Sequence, residues 1–211
     1  NPQPVWGFFF GLIAASVIFL LRSQRVEKNS HWVFFLSGAV IAAALGWAPP
    51  LALNPTLPIL FAAGAVALCA MILPGISGSF ILLLLGLYPT LIAAVAERQL
   101  LLLAVFLTGG IFGLMLFSRI LRYLMERYEQ AIILLMSGFL LGSLTIVWPW
   151  RHPLSDTTLR GNLWPSDFQI LYTEAQVGFS LLAMLAGASL LLLLELVRLQ
   201  QTEKKSPQEL R

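Results

Sequence analysis

The sequence predicts an all-α fold: a polytopic transmembrane helical bundle with one re-entrant helical hairpin. Three observations lead there. Hydrophobic residues fill 58% of the 211 positions and charged residues only 11%, with a mean hydropathy of +0.84. A soluble domain does not carry that balance. The apolar residues fall in runs near the ~20 residues that take a helix across a bilayer, too long and continuous for barrel strands. The charges collect in short clusters between those runs. Since only helices and closed barrels satisfy their backbone groups in lipid, the runs are read as helices.

Five spans follow in order, at 5–21, 32–48, 99–117, 131–148 and 177–197. With a hairpin at 58–96 they form one membrane domain, 1–197. The first run is followed by Arg22 and Arg25, the flank of a stop-transfer segment rather than of a cleaved signal. Between the second and third spans the pattern changes. Two shorter apolar stretches, 58–73 and 80–96, are joined by Pro-Gly-Ile-Ser-Gly-Ser at 74–79. Proline removes a backbone donor and glycine weakens a helix, so this segment breaks the run and is read as the tip of a hairpin. Residues 149–176 make the longest loop, with Trp148, Trp150 and Trp164 as interface anchors. The tail, 198–211, is polar and is expected to be cytoplasmic and unstructured. The single Cys69 excludes a disulfide framework and is read as a small core residue.

The net charge of +3 raises the question of nucleic acid, but the bases sit in short clusters flanking the spans, a topological pattern. If 58–96 enters and leaves by one face, ten basic residues lie on one side and three on the other. If it crosses once, the split is seven to six. The positive-inside rule selects the first arrangement, with the N-terminus outside and the tail in the cytoplasm.

Three readings of the tip stay open. The plainest is a break that lets helices pack closely. The second is a serine protease, since Gly75-Ile76-Ser77-Gly78 fits the G-x-S-G pattern of intramembrane enzymes. That chemistry needs a base near the hydroxyl. The two histidines, His31 and His152, lie at a span end and in the long loop, and no lysine lies inside a span. A lipid phosphatase built on Ser118-Arg119 lacks a histidine nucleophile downstream and is set aside. The third reading is an anion site. Pro74 sets the break, Gly75 and Gly78 let an anion approach the backbone, and Ser77 and Ser79 add hydroxyl donors. The first amides of the helix that follows have no intrahelical partners and carry its positive dipole end. No Asp or Glu lies near the tip, so an anion fits better than a metal. No cofactor is called for.

These residues carry a resemblance. The stretch AMILPGISGSFILLLLGLYPTLIAAV, with SRILRYLMERYEQAIILLMSGFLLGSLTIVWPW, resembles the bacterial undecaprenyl-phosphate translocase family over roughly 33–150. Its motifs are P-G-x-S-G-S followed by L-G-x-Y, then the R-Y-L and Y-E block and the W-P-W close. The resemblance implies a flippase of the bacterial cytoplasmic membrane that returns undecaprenyl phosphate from the outer to the inner leaflet. The partners it implies are that polyprenyl phosphate lipid and the surrounding membrane lipids, with no nucleic acid. Family members look like inverted repeats, each with a P-G-x-S-G hairpin, whereas this chain carries one. The other is expected before Asn1 or from a second subunit. Pro74, Gly75, Ser77, Gly78 and Ser79 are the expected head-group site.

Arg119 and Arg122, spaced i and i+3, share a helix face. Their simplest reading is topogenic charge, and the functional one is a receiver for the descending phosphate. Glu97 and Glu195 stand at span ends, where carboxylates are ordinarily hydrated. Gly109, Gly110 and Gly113 are read as close helix packing. The runner-up function is a channel or carrier for a small soluble anion, which would need polar faces along spans that are almost uniformly apolar.

Overall fold

The computed structural model of the chain describes residues 2–23, 31–152, 161–172 and 174–205. Arg25, Lys28, Arg160, Arg211 and the end of the tail, 206–211, lie outside them. The described residues form eight helices. They are α1 (Gln3–Ser23), α2 (Trp32–Trp47), α3 (Leu57–Ala70), α4 (Gly78–Leu84), α5 (Tyr88–Ala96), α6 (Leu100–Ser143), α7 (Pro165–Leu171) and α8 (Val177–Lys205). The all-helical, multi-pass membrane architecture read from the sequence is the one observed. Three helices are long and apolar enough to cross a membrane, and a fourth span results if α4 and α5 are counted together.

The chain divides into two compact units. One comprises residues 1–25 and 144–211, the other 26–143.

In the first unit α1 packs along α8. Gly7 faces the backbone of Ser180 and Gly11 that of Met184, while Gly187 faces Phe8. A step of four on one helix matches a step of four on the other, so the two run parallel. Bare backbone surfaces bring helix axes close where lipid supplies no hydrophobic drive for association.

The second unit repeats the device twice. Gly138 faces Phe35 and Gly142 faces Ala39, so α2 runs parallel to the end of α6. Gly109 faces Phe61 and Gly113 faces Ala65, so α3 runs parallel to the beginning of α6. Gly109, Gly110 and Gly113 are all buried, as close packing requires.

α6 merges two of the predicted spans. It carries one non-helical residue, Tyr128, at φ −135° and ψ 40°. The helix is sharply bent there. Gly113 lies against Ala65 and Ser143 against Gly75. The chain from 65 to 75 reaches at most about 25 Å, whereas a straight helix would separate 113 from 143 by about 45 Å. The two limbs, 100–127 and 129–143, therefore come back towards each other. The bend falls inside the charged stretch around Arg119–Glu129, where polar backbone is tolerated at a membrane surface.

Three expectations are corrected. The second hairpin arm is not one helix over 80–96. It ends at Leu84, and α5 leaves at 109°. Gly86, at φ +72°, makes the turn, because its bare α-carbon touches the Leu51 carbonyl and Pro89 then opens α5. The last predicted segment of 131–148 is not helical, since α6 stops at Ser143. The tail is not wholly irregular, because α8 continues through Lys205; Gln, Glu and Lys are good helix formers.

Candidate functional site: the hairpin tip

The hairpin is closed at its base. The Leu51 N–H donates to the Leu84 carbonyl at 2.6 Å, so the strand of chain that precedes α3 meets the end of α4. A core of Leu60, Ala63, Ala67, Leu82, Leu87 and Leu91 fills the space between the arms and α5. α3 has 14 residues and rises only about 21 Å, less than the ~30 Å of a bilayer core. α3 and α4 thus form a helical hairpin whose longer arm is shorter than a bilayer core is thick.

At the tip α3 unwinds through weak turns. Ile72 N–H reaches Cys69 O, Leu73 N–H reaches Ala70 O, and Ile76 N–H reaches Leu73 O at 3.3 Å. Gly75 takes φ +87°, a conformation that side chains resist. A methyl there would stand 2.8 Å from Ser143 Oγ and 3.1 Å from the Phe139 carbonyl oxygen. The tip is therefore seated on the far limb of α6, while α3 lies on the near one. Ser143 is buried and donates its hydroxyl to Leu140 O at 2.8 Å. The sequence held no signal for this contact, because nearly seventy residues separate the partners.

α4 begins with its polar groups uncommitted. Ser77 occupies the N-cap position in extended conformation but makes no side-chain cap bond. Its hydroxyl instead pairs with that of Ser79 at 2.7 Å. Among the described residues the first backbone bond into α4 is Ile81 N–H to Ser77 O. That leaves the amides of Gly78, Ser79 and Phe80 without backbone acceptors. Ser77, Ser79 and Gly75 are exposed, and Pro74 is half-buried. Two neighbouring hydroxyls and a first helical turn of free amides form a cluster of neutral donors, suited to an anion and unsuited to a bare cation.

The structure changes two parts of the expected site. α4 has only seven residues, so the dipole of a long helix is absent and the local amides and hydroxyls must act alone. Gly78 is also buried against α3. A methyl at this position would stand 2.6 Å from Ala67 O and 2.9 Å from Met71 Cγ. The residue's bare α-carbon is thus required for the arms to meet, and close packing and donor exposure operate at the same turn.

Arg119 and Arg122 are exposed on the first limb of α6. Arg122 Nε lies 4.0 Å from Glu126 Oε1, a pair between side chains that are 78% and 70% exposed. Among the described residues no contact joins either arginine to the tip. The hydroxyl partner of Ser77 is that of Ser79, and among the described residues no histidine or lysine bonds to it.

With this geometry in view, comparison with known proteins is decisive. A family described as undecaprenyl phosphate translocase-like matches residues 1–163. The chain belongs to this family. A polyprenyl-phosphate transporter of Vibrio cholerae is 42% identical over 205 residues, covering 92% of this chain and 67% of the relative. A polyprenyl-phosphate transporter of Staphylococcus aureus is 33% identical over 165 residues, covering 69% of this chain and 58% of the relative. The chain thus spans about two thirds of one curated relative and less of the other. No solved structure matches. The translocase-like match takes in every residue of the tip and both arginines.

Proposed function

We propose that the chain is a transporter that returns polyprenyl phosphate from the outer to the inner leaflet of the bacterial cytoplasmic membrane, with undecaprenyl phosphate as its substrate. Its relatives carry the name polyprenyl-phosphate transporter. The observation that carries the reading at the level of the site is the exposed pair of Ser77 and Ser79 hydroxyls, beside amides at 78–80 that lack backbone acceptors, held on a hairpin whose arms are shorter than a bilayer core.

The physical problem is the head group. Moving an unshielded phosphate through hydrocarbon carries a prohibitive desolvation cost, so it needs polar partners while its tail stays in lipid. The tip supplies neutral donors and no positive charge, since no Lys or Arg lies in 58–96. Neutral donors hold the phosphate without trapping it, and a site along a transport path has to let go as well as bind. Tip hydroxyls and amides replace water around the phosphate while the prenyl chain lies along the apolar arms.

The proposed orientation has the N-terminus outside and α8 ending in the cytoplasm. The charge clusters support it, ten basic residues falling on the cytoplasmic side and three outside. A hairpin that enters and leaves by one face also makes each observed pair, α1 with α8, α2 with the second limb of α6 and α3 with the first, run in one direction. Arg119 and Arg122 then face the cytoplasm as topogenic charge.

The test is reconstitution into vesicles with labelled undecaprenyl phosphate, read by leaflet accessibility, together with binding of a short-chain polyprenyl phosphate. Ser77→Ala should weaken binding by about 1.5–3 kcal/mol at most, the worth of one hydroxyl to a charged group, with the melting temperature unchanged. Single cysteines at Asn54 and Gln99 in a Cys69→Ala background should be labelled from the same, outer face by an impermeant thiol reagent. Labelling from opposite faces would remove the hairpin from the mechanism.

A further inference from the structure

The first unit holds a cavity that the hairpin reading leaves unused. It measures about 330 Å³, at the lower end of the range for small-molecule sites. Trp6, Trp148, Phe168 and Tyr172 give it aromatic walls, and Gln3, Arg151 and His152 are its polar members. No Asp or Glu lines it among the described residues.

Two features mark it as built for a ligand. The first is Gln3, which is only 4% exposed and whose Oε1 has no hydrogen-bond partner. A buried amide left this way costs stability, and a ligand group can offset that cost. Turned either way, the amide presents an acceptor or a donor. The second is the rigid frame beneath the cation-bearing segment. Trp150 Nε1–H donates to Ala175 O at 2.7 Å, and Trp148 Nε1–H donates to Leu163 O at 2.9 Å. Leu163 N–H donates to Trp150 O at 2.7 Å and His152 N–H to Gly161 O at 3.2 Å, flanking an isolated bridge between Arg151 and Asn162. His152 Nδ1 stands 2.7 Å from the Tyr172 hydroxyl, which fixes the ring. Arg151 is oriented through Nη1, 3.4 Å from Ile146 O.

We propose that this cavity is a second lipid site, for a phosphate ester carried on an unsaturated isoprenoid chain. Arg151 and His152 take the phosphate, Gln3 completes its hydrogen bonding, and the aromatic walls take the first units of the chain. The site rests on the polyprenyl-phosphate reading above, and uses none of the hairpin's residues. Guanidinium and imidazole are the groups that recognise a phosphate at neutral pH. A cavity of this size holds the head and the start of the chain and leaves the rest in lipid.

The test uses the purified protein and farnesyl phosphate, with farnesol, inorganic phosphate and a phosphatidic acid of two oleoyl chains as comparators. Farnesyl phosphate should bind more tightly than all three. His152→Ala should weaken it about tenfold, as loss of a charged hydrogen bond does, and leave farnesol unchanged. Trp6→Ala should weaken farnesyl phosphate and farnesol alike. A photoreactive farnesyl phosphate should label Trp6, Phe168 or Tyr172 in the unaltered protein, and still do so in a Ser77→Ala, Ser79→Ala variant. This labelling decides the matter even if a cavity variant fails to fold.

Label confined to 71–79, or affinity indifferent to His152→Ala, would overturn the second site and leave the transporter reading standing. Equal binding of inorganic phosphate or phosphatidic acid would overturn its isoprenoid specificity. Folded protein that binds no farnesyl phosphate and moves no undecaprenyl phosphate would overturn both readings.

Discussion

At the hairpin tip and at 144–152 the chain breaks helical structure beside a proline, yet it treats its polar groups in opposite ways. Around Pro149 every tryptophan N–H that the fold encloses is spent on a carbonyl, Trp148 on Leu163 and Trp150 on Ala175. Side chains hold the chain there, and the cavity is what they leave beside them. Around Pro74 almost no side chain holds anything. Ser77 and Ser79 bond to each other, and the backbone is kept in place by bare α-carbons at Gly75 and Gly78 pressed against neighbouring backbone. One region achieves rigidity by hydrogen-bond satisfaction, the other by steric fit, which leaves its donors available. The difference teaches that an exposed polar tip can be ordered without consuming the groups it presents.

The largest effect should come from attacking the steric fit. Gly78→Leu drives a side chain into Ala67 O, so it should destabilise the protein by about 3 kcal/mol, at the upper end of overpacking costs. Thermal unfolding in detergent measures this. A variant with an unchanged melting temperature would show that the two arms are not clasped at this turn. Trp150→Phe tests the opposite strategy. It removes a buried donor and leaves Ala175 O unpaired, for a loss of about 1–3 kcal/mol by the same assay. Preserved stability would mean that the loop is held by packing instead.

Gly75→Ala comes next. Positive φ costs a side chain about 1–2 kcal/mol, and the methyl also crowds Ser143 Oγ. Combining it with Ser143→Gly should return at least about 0.5 kcal/mol, a coupling that a double-mutant cycle resolves. Strict additivity would place the tip away from the second limb of α6. The smallest effect is expected for Arg119→Lys with Arg122→Lys. Surface ion pairs contribute little, so stability should change by less than about 0.5 kcal/mol. Binding of a short-chain polyprenyl phosphate should stay near its original level, because charge persists while the fork geometry is lost. A large binding defect in well-folded protein would make the pair a ligand.

Most of the helices and the turn of the chain at 74–79 were legible because their signals are local: apolar run length, the Pro-Gly break, and charge clusters at the ends. The glycines at 109–113 also read correctly. The same four-residue spacing at Gly7–Gly11 and Gly138–Gly142 was an available signal for the other two helix pairs. The turn at Gly86 was marked by Gly-Leu-Tyr-Pro and overlooked, because the apolar composition runs on unbroken through it. The bend at Tyr128 has neither glycine nor proline, and is set by how the limbs of α6 pack on α2 and α3. In the candidate site, the hydroxyls and glycines could be found by composition. That Gly78 serves packing as well as access depends on Ala67 lying one turn from the end of α3, which only the folded hairpin determines.

The parallel pairing of helices has a consequence for how the chain is made. A helix that packs parallel to its partner cannot be its immediate neighbour in a simple hairpin, so each partner arrives late. The surface of α1 around Gly11 must wait for Met184. At ~5–20 residues per second that wait lasts on the order of ten to thirty seconds. α3 waits a few seconds for the first limb of α6, and α2 longer for the second. During synthesis the glycine faces therefore lie open in the bilayer, with lipid as their provisional neighbour. The pairing of α1 is completed only when α8 emerges.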